Sequence, residues 1–179
     1  LTDRAVYLED GTLVDIREKV HRVQGLPVAI TSRGDVRPLE FFGTYFDRMG
    51  SVFGTFDGCL EALPTVLDGF KRHGLAPCEV VIAGVSESEG PIVLYVSSVS
   101  YVPNMEPFRL YRMPAEFGGG NSIEPHELAA AGITPESVAD GFAERGADIM
   151  EIMRGKPGPN PVKPELPPLY GVGGGVDLT

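Results

Sequence analysis

The first third of the chain alternates apolar and polar positions with the two-residue period of half-buried strands. Gly11-Thr12-Leu13-Val14-Asp15-Ile16, Lys19-Val20-His21-Arg22-Val23 and Pro27-Val28-Ala29-Ile30-Thr31-Ser32 each read as a strand. Asp10-Gly11 and Gln24-Gly25 supply the turns, so the three form a small meander. From Asp35 the period changes to that of a helix, with Leu39, Phe42, Phe46 and Met49 on one face and Gly50 as the stop. A second helix follows, capped by Asp57, with Leu60, Leu63, Leu67 and Phe70 as its apolar stripe and Gly74 at its end. Pro64 falls inside that pattern and predicts a kink or a later start.

The continuous apolar runs of CEVVIAGVS and PIVLYVSSVS, joined by Glu87-Ser88-Glu89-Gly90, predict a hairpin, and PFRLYRM a further short strand. Thr134-Pro135-Glu136 announces a last helix running through Val138, Phe142, Ala147, Ile149 and Met153. The segment from 155 to 170 is dense in proline, has no apolar period, and reads as a loop. YGVGGGVDLT then reads as a final strand, so the chain is expected to be cropped at both ends, starting just after one strand and stopping inside another. Strands, two helices, strands, a helix and a strand make an α+β chain with two sheets and helical layers outside them.

Composition narrows what such a domain can do. At 179 residues the chain is the size of a single domain with its own core. Its formal charge of −10, with no basic stripe, argues against a nucleic-acid partner, since phosphate binding rests on clustered Lys and Arg. Its apolar runs are far shorter than a membrane-spanning helix needs. The preferred reading of Cys59 and Cys78 is two small buried hydrophobes in a reducing compartment, with a disulfide as the lesser alternative. His21, His73 and His126 lack metal-ligand spacing, and no metal or organic cofactor is implied. GGGNS lacks the Gly-Lys-Ser/Thr of a phosphate loop, and in GVSES Ser88 stands where a nucleophile elbow needs its second glycine.

The order of elements resembles the proteasome β-subunit and HslV-type peptidases, members of the N-terminal nucleophile hydrolase superfamily. The likeness is carried by Asp3 placed 16 residues before Lys19-Val20, by PVAITSRG reaching Gly34, by VVIAGVSESEGPIVLYVSS, by ITPESVADGFAERGADIM, and by GVGGGVDLT. It implies a four-layer αββα sandwich over residues 1–179, of bacterial or phage origin. It also implies a site in which a free N-terminal Thr, Ser or Cys attacks an amide. Lys19 would favour the deprotonated nucleophile, Asp3 would keep that lysine charged and oriented, and an N–H near Gly34 would stabilise the oxyanion.

The chain departs from that pattern. Leu1 has no nucleophilic atom and Thr2 is acylated by it, so the resemblance implies a nucleophile about one strand upstream. In Gly118-Gly119-Gly120-Asn121 and Gly173-Gly174-Gly175, Gly119 and Gly173 stand where the family has supporting serines. Two functions follow as expectations. The first is a non-catalytic descendant, a structural subunit of a homo-oligomer or mixed assembly such as a phage-like particle. The second is an amidohydrolase or peptidase, which alone would need a peptide substrate. The expected location is the cytoplasm or the particle. The Phe41, Phe42, Tyr45, Phe46 cluster is read as core, with contact to a neighbouring subunit as the alternative, and the proline-dense segment as an arm with some partner role.

Overall fold

In the computed structural model the structure describes residues 2–114, 117, 121–138, 145–160, 163, 165–174 and 176–177. The chain is of the α+β class, as its periodicity predicts. It divides into two compact units, one built from Val20–Gly118 and the other from Leu1–Lys19 together with Gly119–Thr179.

The contiguous unit holds a five-stranded antiparallel sheet. Its strands, in spatial as well as chain order, are β4 (Val20–Arg22), β5 (Val28–Gly34), β6 (Cys78–Ser86), β7 (Gly90–Ser97) and β8 (Tyr111–Met113). Helices α1 (Arg37–Phe53) and α2 (Phe56–His73) cover one face. Alternation sends Val28 and Ile30, Val80 and Ile82, and Ile92, Leu94 and Val96 to that face, where they meet Phe42, Phe46, Phe56, Leu63 and Leu67 in one core. Phe42, Tyr45 and Phe46 are core, whereas Phe41 stays 41% exposed and packs edge-on against Phe70 with ring centroids 4.5 Å apart. Burial pushes the Tyr45 phenol up to about 12, and its hydroxyl donates to the Cys59 carbonyl at 2.7 Å. Cys59 and Cys78 are buried free thiols.

Helix boundaries differ from the sequence reading for identifiable reasons. Gly50 does not stop α1, where it lies buried against Leu26; the helix runs one turn further, and Gly54, in the left-handed region at φ 71°, is the cap. The N-cap of α2 is Thr55, whose hydroxyl accepts from Gly58 N–H, and Asp57 lies in the first turn instead. Pro64 neither delays nor splits α2. Asp57 still works at that end, accepting from Ser88 N–H at 2.9 Å, while Glu87 accepts from the N–H groups of Phe56 and Asp57 at 2.9 and 3.0 Å.

The β6–β7 turn and the helix N-terminus thus cap each other. Hydrogen bonds from the Asp57 and Phe56 backbone hold Glu87 below its ordinary range, and Ser86 and Ser88 do the same for Asp57. A lowered carboxyl pKa stabilises the fold above the unfolded value, near 4, and that stability is lost as pH falls through the folded value. The melting temperature is therefore expected to drop on acidification from about pH 5 to about pH 3, and Glu87→Gln to flatten that slope. A scanning-fluorimetry series over this range checks it; identical slopes would exclude the cap as a contributor.

The second unit pairs β2 (Ala5–Tyr7) with β3 (Leu13–Ile16), and β1 (Thr2–Asp3) with β9 (Val176–Asp177). The predicted three-strand meander is therefore broken. The strand of residues 13–16 joins a hairpin with β2, and only β4 and β5 pair as expected. Helix α3 (Pro125–Ala130) was not anticipated; Glu127 accepts from the Glu124 N–H at 2.7 Å in a capping-box arrangement. The predicted late helix is described only in part. A single 3-10 turn at Glu136–Val138 is followed, after residues 139–144, which lie outside the described residues together with Phe142, by α4 (Gly146–Arg154).

The proline-dense segment is tied to its own unit. Asn160, 2% exposed, donates to the Glu9 carbonyl at 2.7 Å, Lys163 pairs with the Glu9 carboxylate, and Gly158 bridges Leu169. Among the described residues no helix is long and apolar enough to cross a membrane.

Candidate functional site

Asp3 and Lys19 are brought together within the discontinuous unit. The Lys19 ammonium donates to Asp3 Oδ1 at 3.0 Å, and the two side chains are only 17% and 13% exposed. The sixteen-residue spacing thus becomes contact, because the β2–β3 hairpin returns the chain to β1. The backbone repeats that closure: Arg17 N–H donates to the Arg4 carbonyl at 2.9 Å.

The other carboxylate oxygen is equally engaged. Asp3 Oδ2 accepts from Ala5 N–H at 3.1 Å and from Gly173 N–H at 3.2 Å. The Gly173 carbonyl in turn accepts from the N–H groups of Arg4 and Ala5 at 3.3 and 3.2 Å. One carboxylate therefore joins β1, the start of β2, the end of the hairpin and the glycine-rich segment. Charge-assisted bonds of this kind are about twice as strong as neutral ones.

Gly173, where the resemblance leads one to expect a supporting serine, has a local reason to be glycine. A Cβ there would collide with the Tyr7 hydroxyl and lie 3.2 Å from Ala5 Cβ. Tyr7, on β2, thus fills the space of a side chain at 173. Burial raises its phenol pKa, the Asp3 carboxylate adds to the rise, and Arg154 opposes it. Arg154, from α4, donates to the Gly174 carbonyl at 2.9 Å and to Glu151 at 2.6 Å, while its buried Nε makes no hydrogen bond among the described residues.

No family model matches this chain, and no curated protein matches it. The reading of the site therefore rests on its geometry and on the resemblance.

Gly34 belongs to the contiguous unit. It sits at φ +90° at the end of β5, paired with Cys78, and a Cβ would collide with the Pro77 carbonyl oxygen and lie 3.1 Å from Cys78 Cα. The N–H of the next residue, Asp35, is spent on Pro77 O at 3.1 Å. That close crossing is reason enough for glycine. Gly34→Ala is expected to cost about 1–3 kcal/mol through left-handed strain alone, with the collision adding to it. Urea denaturation would show this as a lower midpoint; an unchanged midpoint would mean that β5 and the Pro77 turn move apart freely. Gly119 lies outside the described residues.

Sequence reasoning missed Tyr7 and Arg154. Tyr7 was legible only as the last member of a three-residue strand, too short to show a period. Arg154 carried no signal beyond a basic residue closing a helix, a common arrangement against the helix dipole. A second polar cluster lies in the contiguous unit, where Glu79, 8% exposed, accepts from Tyr95 at 2.8 Å and from Arg33 at 3.2 Å. Its partners satisfy it, as buried carboxylates require. Among the described residues no group of three or more His, Cys, Asp or Glu is placed to hold a metal ion.

Proposed function

We propose that this chain is a proteasome-β-like αββα domain whose catalytic frame serves structure: a non-catalytic subunit of a larger assembly, such as a phage-like particle. The observation that carries this reading is the threefold engagement of Asp3. Its carboxylate takes donors from Lys19, Ala5 and Gly173, so it acts as a staple between distant parts of the chain. An electrostatic activator needs only the lysine contact; the two backbone bonds are additional. The Tyr7 ring against Gly173 supports the same conclusion, since it fills the place in which the resemblance expects a supporting serine.

A second reading, an N-terminal nucleophile peptidase, is favoured by the Asp3–Lys19 contact, which is the pairing that chemistry would use. Intact mass, N-terminal sequencing and light scattering of the protein as isolated, followed by incubation with an electrophilic peptide probe, separate the two. The structural reading expects a particle mass above one chain and no covalent adduct. An N-terminal Thr, Ser or Cys upstream of Asp3, with an adduct abolished by Lys19→Ala, would replace it with the peptidase.

A further inference from the structure

Pro167-Pro168-Leu169-Tyr170, at the end of the proline-dense segment, holds the only adjacent pair of prolines in the chain. Each proline fixes its own φ near −65° and confines the residue before it to extended backbone, so covalent structure alone holds Leu166–Pro168 close to polyproline II. That helix repeats every three residues and makes no internal hydrogen bonds. On its repeat Pro167 and Tyr170 share a face, and Leu169 lies on another.

The fold sorts these side chains in the same way. Pro167, Pro168 and Tyr170 are exposed, and Tyr170, at 60%, is the most exposed aromatic side chain among the described residues. Leu169 is the half-buried member, its Cβ only 3.7 Å from where a Cβ on Gly11 would stand, and its backbone exchanges both N–H···O bonds with Gly158 at 2.9 Å. Upstream, the Oδ1 of buried Asn160 accepts from the Lys163 N–H at 2.9 Å, and the Leu166 N–H closes a turn on the Lys163 carbonyl at 3.0 Å. All of these partners belong to the discontinuous unit. The segment is therefore presented in an ordered form, and an ordered ligand gives up less conformational freedom when it binds.

We propose that Pro167–Tyr170 is a docking segment for a partner protein whose groove is lined with aromatic side chains, which flank the paired prolines while a neighbouring pocket takes the Tyr170 ring. Prolines have no N–H to offer a strand ladder, so a partner reads this segment through ring shape, as aromatic-lined grooves read polyproline II. The phenol suits such a pocket, with an apolar body to bury and a hydroxyl to pair at its end. Leu169, the position between the prolines and the tyrosine, faces the chain's own fold and anchors the segment without being read. The contact uses no residue of the Asp3–Lys19 site and stands with either reading of it.

Titration of a fluorescently labelled WW domain, a small fold that carries a groove of this kind, with the full chain from about 1 to about 300 μM tests it. Saturable binding is expected, and Tyr170→Ala and Pro168→Ala are each expected to weaken it about tenfold or more. Circular dichroism checks that both keep the fold; if Tyr170→Ala does not, Pro168→Ala carries the test. Val52→Ser, which removes a side chain 70% exposed on α1, is expected to bind as wild type does, which separates the segment from general apolar adhesion. A wild type that leaves the WW domain unbound, or that binds it equally well after Tyr170→Ala, would overturn the assignment. Binding by a synthetic peptide of residues 163–172 without binding by the folded chain would overturn it too, because the fold would then close the segment to partners.

Discussion

Phe46→Ala is expected to destabilise the protein by about 3–5 kcal/mol, a large part of what holds a domain of this size folded. The ring is 0% exposed, with Tyr45 edge-on at 5.1 Å and Phe56 at 5.9 Å between centroids. It lies where α1 and α2 both meet the sheet, so the cavity left by truncation is bounded by three elements that cannot all close on it. Chemical denaturation followed by circular dichroism gives the number. A loss below about 1 kcal/mol would mean that the core repacks around the void.

Asp3→Ala is expected to cost about 2–3 kcal/mol, because it strands a mostly buried ammonium and two backbone N–H groups at once. Lys19→Met should cost less, about 1–2 kcal/mol, since the methionine stem keeps the packing and Asp3 keeps its two amide donors. The order of the two losses is the informative part. Equal losses would show that the bonds to Ala5 and Gly173 contribute nothing, and the staple would reduce to an ion pair. Asp3→Asn should fall between them, retaining an acceptor without the charge.

The parts of this architecture legible from the sequence are those whose cause is local. The β6–β7 hairpin follows from two apolar runs about a polar turn, and α1 and α2 from stripes at helical spacing that become the core contacts of Phe42, Phe46, Leu63 and Leu67. What could not be read is partner choice between distant segments. Nothing near residues 13–16 says that they pair with Ala5–Tyr7 and not with β4, or that Thr2–Asp3 pairs with Val176–Asp177. The candidate site divides in the same way. The resemblance pointed to Asp3 and Lys19, whereas the engagement of Asp3 by Gly173 and the seating of Tyr7 depend on contacts spanning most of the chain. Asn160 is the extreme case, a buried amide whose acceptor lies 151 positions away.

The discontinuous unit draws residues 1–19 and 119–179 together around an intervening contiguous one. During synthesis, residues 20–118 can complete their sheet and helix layer as soon as they leave the ribosome, since every strand partner they use is already made. The first nineteen residues have no such option. Their β1 partner and the Gly173 contact of Asp3, 170 positions on, are translated after the whole contiguous unit, so the apolar strand Leu13–Ile16 waits through that interval for the segment that joins its unit. At roughly 5–20 residues per second that interval is several seconds or more, long enough for a chaperone to find it. The order of folding is therefore set by where the chain is cut into units: residues 20–118 first, and residues 1–19 with 119–179 after them.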